Sequence, residues 1–301
     1  MSEPMAPAPS TRATLLILFS ACCFGSISIL ITLATNSGAG LVDLLVWRYA
    51  LAAVLLVVVS GSFTAMRSAG RRTVPLLVLA GGGQALIAFV SLSSLKYIPA
   101  ASLTFLFYTY PAWVTLIAAL RKIEPLTKPR VLALGLSLTG LALMVGMPGA
   151  GGLNPMGVGL ALASALLYAL YIPMIGHLGA GVAPAVTSAF AAGGAAIVLL
   201  VVAMVHGGPS VHFAPIGWLA IGLLALVATV LAFIAFLRGL AVIGPVRTAI
   251  VSTVEPFWTA LLGSVVLSQL LGGRILMGGI LIAAAVIVLQ IRPSRAPVAA
   301  A

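Results

Sequence analysis

Acidic side chains are rare in this chain, with Asp and Glu together numbering 4. One of them, Glu255, sits deep inside an apolar run and directly precedes Pro256. If that run enters hydrocarbon near Pro245, ten residues of helix at roughly 1.5 Å rise carry Glu255 about 15 Å inward, close to the midplane of a bilayer. An ionisable group at that depth is costly and faces a water-filled path or a partner. Pro256 weakens the helix there, because it lacks an N–H and disfavours helical geometry in the residue before it. Two roles stand open for Glu255. It is a carboxylate that carries a coupling proton or binds a substrate amine, or a structural acid held by the broken helix or by an arginine.

Aromatic and neutral polar residues at helical spacing supply the rest of a candidate site. Tyr110 and Trp113 are three apart, with Tyr108 nearby, and Pro111 among them is a second kink position. Tyr168 and Tyr171 repeat the spacing; Thr229, Phe233 and Phe236 follow it at four and three. Gln84 and Ser91, seven apart, offer neutral hydrogen bonds, and Trp258 follows Pro256 as Trp113 follows Pro111. An aromatic wall with a few polar points suits a flat or apolar solute. The same spacing also describes packing or lipid-facing residues. Pro111 and Pro256 serve either as hinges or as static bends that widen a cavity. Trp47, Tyr49, Tyr97 and Trp218 fall near span ends and read as interface anchors. Arg48 either snorkels to the outer interface as a structural cation, the favoured reading, or meets a substrate carboxylate.

Composition says which elements must hold these residues. The chain is 62% hydrophobic and 6% charged, with a mean hydropathy of +1.26, whereas soluble domains carry roughly a quarter charged residues. Apolar runs fall at about 13–33, 42–60, 73–95, 99–120, 130–147, 156–176, 184–205, 215–237, 245–267 and 274–291. The first lacks a convincing small-residue cleavage site and reads as a retained helix. With both ends of the chain in the cytoplasm, that side receives Arg12, Arg67, Arg71, Arg72, Arg121, Lys122, Lys128, Arg130, Arg238, Arg247, Arg292 and Arg295, and the other side only Lys96 and Arg274. The net charge of +11 therefore orients the chain and does not point to nucleic acid. Cys22 and Cys23 are adjacent in the first run, which excludes a disulfide framework. His177, His206 and His212 lie in predicted loops without ligand spacing. No cofactor or metal is expected.

An offset of 145 pairs Leu95 with Leu240, Ile98 with Ile243, Pro111 with Pro256, Trp113 with Trp258 and Leu116 with Leu261. Five spans separate the copies, and five is odd, so the halves are upside down relative to each other. The expected fold is an all-α integral membrane protein of ten transmembrane helices, built as two inverted five-helix repeats around a central cavity. Its parts are a cytoplasmic tail at 1–12, repeats at 13–147 and 156–291, a connecting loop at 148–155 and a cytoplasmic tail at 292–301. Gly81–Gly83 and Gly278–Gly279 allow close helix contact, and the glycine-bearing fifth and tenth helices serve an internal contact or a homodimer.

This pattern resembles the EamA type of the drug/metabolite transporter superfamily over essentially the whole chain. The matching features are Trp47-Arg48-Tyr49, the prolines of the fourth and ninth helices, and Glu124-Pro125-Leu126-Thr127 followed by Leu134-Gly135 and Thr139-Gly140. One departure is Gln269, where the second repeat of the family carries a Glu. Within the superfamily the chain looks most like the bacterial aromatic-amino-acid exporters of the YddG kind. That resemblance implies an exporter in the cytoplasmic (inner) membrane, with a cavity lined by helices 1, 3, 4, 6, 8 and 9 and with helices 5 and 10 behind it.

The expected function is secondary-active or facilitative export of small organic solutes, most of all amino acids with aromatic or apolar side chains. Membrane lipid surrounds it. No phosphate-binding GxxxxGK[ST] loop is present, which argues against direct ATP drive. A lipid-processing enzyme would need convergent His, Asp, Glu or metal ligands, a stock this chain lacks. A channel would show no substrate competition. The nearer rival is an exporter of drugs or other metabolites on the same scaffold.

Overall fold

The computed structural model describes residues 11–61, 66–123, 125–145, 154–205, 207–268 and 270–291, and among these every regular element is helical. The Glu124 and Gln269 positions, His206, both tails and most of the loop between the repeats lie outside the described residues. Seven helices are long and apolar enough to cross a membrane. One of them, Pro215–Val251, is 37 residues long and contains two spans. It is divided at Gly244, whose φ of 76° and ψ of 170° suit glycine, and Pro245 then starts a new helix.

With that division the described residues form ten spans. They are α1 (Thr11–Asn36), α2 (Leu41–Val59), α3 (Gly70–Ser94), α4 (100–120), α5 (Lys128–Val145), α6 (Pro155–Leu178), α7 (Pro184–Val205), α8 (215–243), α9 (245–266) and α10 (Gly273–Ile291). Ten spans put both ends of the chain on the same side.

Several spans are interrupted. α1 breaks between Gly25 and Ile27, α4 at Tyr108–Thr109 and α9 at Ser252–Thr253. The last two breaks stand two to four residues before Pro111 and Pro256, where each proline withholds an N–H from the preceding turn. α3 and α8 each contain a π-helical turn, at Leu76–Gly81 and Leu226–Leu231. The apolar pattern gave no warning of either.

Helix pairing displays the inverted repeat directly. α1 packs on α8 and α6 on α3; α1 also meets α9, and α6 meets α4. Exchanging each helix with the one five places later converts the first member of each pair into the second. The pairs α2–α7 and α5–α10 map onto themselves. The interior is rich in small residues, with Ala34, Ala52, Ala80, Ala165, Ala169 and Ala225 all buried, whereas Val58, Leu120, Val205 and Val265 are exposed. Large apolar residues outside and small ones inside suit a hydrocarbon solvent, where helices gain by close approach and not by hiding apolar surface. Gly81 meets the backbone of Gly194 between α3 and α7, and Gly140 meets Gly278 between α5 and α10. Gly140 and Gly278 therefore serve an internal contact, whereas Gly135 of α5 has open space around it. Gly279 admits the Phe257 ring, whereas Gly82 has open space around it.

Candidate functional site

A cavity of about 270 Å³ lies within the bundle. It is lined from α1, α2, α3, α4, α6, α8 and α9, and no lining residue comes from α5, α7 or α10. The α2 contribution (Leu41, Leu45, Arg48 and Tyr49) goes beyond the six helices that the family resemblance implies. Ile31, Leu41 and Leu92 carry the lining toward the α1–α2 and α3–α4 turns, the side away from the chain ends. On the other side Ala69, Leu76, Ile243 and Val246 are buried in packed core.

Glu255 stands on the wall in the first turn of the half-helix Val254–Val266. A half-helix that starts in the middle of the bundle directs the positive end of its dipole at its first turn, a favourable place for a carboxylate. The Tyr108 hydroxyl and the positive charge of Arg48 both lie within electrostatic reach of the Glu255 carboxylate. The α9 break is docked on the α1 break. Thr259 Oγ1 donates to the Gly25 carbonyl at 2.8 Å and to the Glu255 carbonyl at 3.0 Å. A Cβ at position 25 would collide with the Glu255 carbonyl, so glycine is required for this approach.

The aromatic residues divide into two layers. Phe107, Tyr168 and Tyr171 line the cavity, with Phe107 stacked on Tyr168 at 5.4 Å and Tyr168 on Tyr171 at 6.2 Å. Facing them, Phe24 meets Phe233 edge-on at 5.5 Å and Phe236 at 6.2 Å. Tyr108 and Tyr110, expected on the wall, stand one layer behind it. The break at Tyr108–Thr109 interrupts the helical phase and leaves Phe107 as the α4 lining residue. Tyr110 packs edge-on to Tyr168 at 4.8 Å and directs its hydroxyl toward the Ala249 carbonyl at 3.4 Å. Trp113 packs against the main core, and Trp258 borders Gly25; neither lines the cavity.

Of the remaining expected site residues, Gln84, Ser91 and Phe233 line the cavity. Thr229 does not. It is fully buried, and its hydroxyl is engaged in the π-turn of α8, where it donates to the Leu224 carbonyl at 2.9 Å. Its partner is Arg48, which donates from Nε to Thr229 Oγ1 at 2.9 Å and from Nη2 to the Ala228 carbonyl at 3.0 Å. Arg48 is 4% exposed and does not snorkel. The π-turn sets its course, since it offers a hydroxyl and a carbonyl in the bundle that a buried guanidinium can satisfy.

Tyr49 corrects the interface-anchor reading. It is 2% exposed, lines the cavity, and its hydroxyl accepts from Gln84 Nε2 at 3.1 Å. No local signal marked it, since the partner that draws it inward, Gln84, is 35 residues away. Trp47 and Trp218 do meet each other, edge-on at 5.4 Å, and Tyr97 is 46% exposed. Gln84 Oε1 and the Tyr171 hydroxyl are buried without a partner. His177 and His212 are exposed, and no cluster of potential metal ligands occurs among the described residues.

A half-open, aromatic-walled cavity with one carboxylate, set where two inverted halves meet, is an arrangement for holding a small solute between two sides of a membrane. One crystal structure, described only as that of a protein, is similar over 93% of this chain and 96% of its own, at 20% identity and a TM-score of 0.81. That likeness concerns the fold. No curated protein matches. The model of the EamA-like transporter family matches twice, at residues 11–146 and 155–291, which covers both five-helix halves. The chain belongs to the EamA-like transporter family, whose members are multi-span membrane transporters of small solutes.

Proposed function

We propose that this protein is a secondary-active or facilitative exporter whose substrates are amino acids with aromatic or apolar side chains, as in the exporters of the YddG kind. Transport proceeds by alternating access between the two repeats. The observation that carries this reading is the cavity itself. About 270 Å³ falls just below the roughly 300–1,000 Å³ typical of small-molecule pockets. That size favours a solute of amino-acid dimensions over the larger solutes of a drug exporter. Two aromatic walls accept an apolar side chain, and Glu255 is the sole acid among the lining residues.

The concentration of Arg and Lys on the side of the chain ends supports cytoplasmic termini in the inner membrane. In that orientation the cavity opens away from the cytoplasm, the state from which an exporter releases its solute. Glu255 is the coupling candidate, and Pro111 and Pro256 are the candidate hinges beside the two midmembrane breaks.

The test is transport by purified protein in liposomes, with and without a pH gradient, for the wild type and Glu255→Gln. A coupling carboxylate predicts that the variant keeps counterflow exchange but loses pH-driven accumulation. Loss of both points to amine binding by Glu255, and an unchanged, well-folded variant removes it from the mechanism. A wild-type protein that moves no amino acid under either condition ends the amino-acid reading.

A further inference from the structure

The two charged side chains on the cavity wall come one from each repeat, Arg48 from the first and Glu255 from the second. Their commitments differ. Arg48 uses Nε and Nη2 on the π-turn of α8, and its guanidinium carbon lies 5.0 Å from the Tyr49 ring centroid. One edge of the guanidinium fork is thereby occupied within the protein. Glu255 has the Tyr108 hydroxyl and Arg48 within electrostatic reach, and a carboxylate has acceptor sites to spare.

Gln84 adds to this demand for donors. Its Nε2 is fixed on the Tyr49 hydroxyl, and its Oε1 is buried without a partner. The Tyr171 hydroxyl, on the same wall, is buried and unpartnered as well. A buried acceptor left unfilled is unfavourable until a donor reaches it. Arg48 keeps N–H donors on Nη1, but Glu255, Gln84 and Tyr171 gather open acceptor sites on the same wall, and the faces of Phe107 and Tyr168 attract a cation rather than an anion. An alkylammonium group has three donors and no acceptor.

We infer that the site selects its solute by the amine and not by the carboxylate, with Gln84 and Tyr171 as specificity residues beside Glu255 while the apolar body lies against Phe24, Phe233 and Phe236. The inference rests on the proposed transport of small solutes and narrows the class to primary amines with an apolar body. Free amino acids belong to that class, and so do their amides and their decarboxylated counterparts.

A competition panel on purified full-length protein tests it, with labelled phenylalanine and labelled phenethylamine as separate probes. Phenylalanine, phenylalanine amide and phenethylamine are expected to compete within about threefold of one another, and N-acetylphenylalanine and phenyllactate about tenfold or more weakly, since each lacks the ammonium. Phenyllactate competing as well as phenylalanine, with the amide and phenethylamine inactive, would overturn the inference and leave amino-acid transport standing. Binding of phenethylamine without phenylalanine upholds the inference and removes amino acids as the substrates. No binding by any of the five overturns both. Gln84→Leu and Tyr171→Phe should each weaken both probes, Gln84→Leu by about tenfold because its bond is to a charged group. Unchanged affinity in monodisperse variants refutes their role. If a variant does not fold, the wild-type panel still decides.

Discussion

Replacing Arg48 by Met separates a structural arginine from a substrate-binding one. Methionine preserves much of the side-chain bulk and removes both bonds to α8, from Nε to Thr229 at 2.9 Å and from Nη2 to Ala228 at 3.0 Å. In soluble proteins a bond from a charged donor contributes roughly 1.5–3 kcal/mol. Interhelical bonds in membranes average only about 0.6 kcal/mol and reach about 1.7 kcal/mol, because helices separated in lipid find other partners. Arg48 makes its two bonds from a buried position, and its loss leaves the Ala228 carbonyl of the π-turn unfilled, so the upper membrane value applies to each. Arg48→Met should therefore lower the unfolding free energy by about 3 kcal/mol, read by circular dichroism during titration of mixed micelles with a denaturing detergent. Thr229→Val removes one acceptor, and the double variant should show a coupling of about 1 kcal/mol between the two sites. A loss below about 0.5 kcal/mol, accompanied by loss of amino-acid binding with amine binding retained, would refute this account and make Arg48 a carboxylate anchor.

Three further outcomes follow from the packing. Gly194→Ala places a Cβ against the Leu77 carbonyl and the Gly81 backbone, neither of which can yield as a flexible side chain would, and should destabilise by about 1–3 kcal/mol. Gly82→Ala, in open space on the same helix as Gly81, should be neutral or stabilising by up to about 1 kcal/mol; equal effects in the same detergent titration would contradict the contact. Trp47 Nε1 donates to the Ser210 carbonyl at 2.9 Å, and Asp43 Oδ1 accepts from the Ser210 N–H at 3.0 Å. Asp43→Ala should speed hydrogen exchange at the Ser210 amide by about tenfold, the equivalent of one hydrogen bond. Thr259→Val removes the clamp on the Gly25 carbonyl and should cost about 1 kcal/mol in the same titration, whereas Thr35→Val, a helix-internal bond on the exposed side of α1, should cost little.

The parts of this protein that were legible in its sequence are those fixed by chain-local rules. Span length, the glycine and proline dividers and the 145-residue offset gave ten helices in two inverted halves. They did so because hydrocarbon thickness and helix rise leave few alternatives. The placement of Glu255 within the ninth span followed from the same arithmetic. What escaped was set by contacts between distant segments or by a change of helical phase. Arg48 and Thr229 are 181 residues apart, and nothing near either one indicates the other. Tyr108 and Tyr110 were assigned to the wall by three- and four-residue spacing, a rule that fails across the break at Tyr108–Thr109. Tyr49 lies only nine residues into α2, near enough to its end to resemble an interface anchor, yet the side chain turns inward to Gln84.

The same offset shows where the two halves stop being equivalent. Adding 145 to Tyr110 gives Glu255, and adding it to Arg48 gives Gly193. The π-turn of α8 is bridged by the Arg48 side chain, whereas the π-turn of α3 is met by backbone at Gly194, next to that equivalent position. If two identical halves exchanged conformations, as alternating access requires, the inward-open and outward-open states would have equal energy. Each residue that breaks the repeat contributes to the difference between them, and a ligand moves that balance only through unequal affinity for the two states. Arg48 and Glu255 are the charged members of this asymmetry that line the cavity. Arg48 ties α2 to α8 in the conformation described here. An ammonium held by Glu255 and Gln84 would tie α9 to α3 across the two repeats. Under the proposed alternating access, the repeat would supply two states of similar energy, and its unmatched residues would make the choice between them depend on the solute.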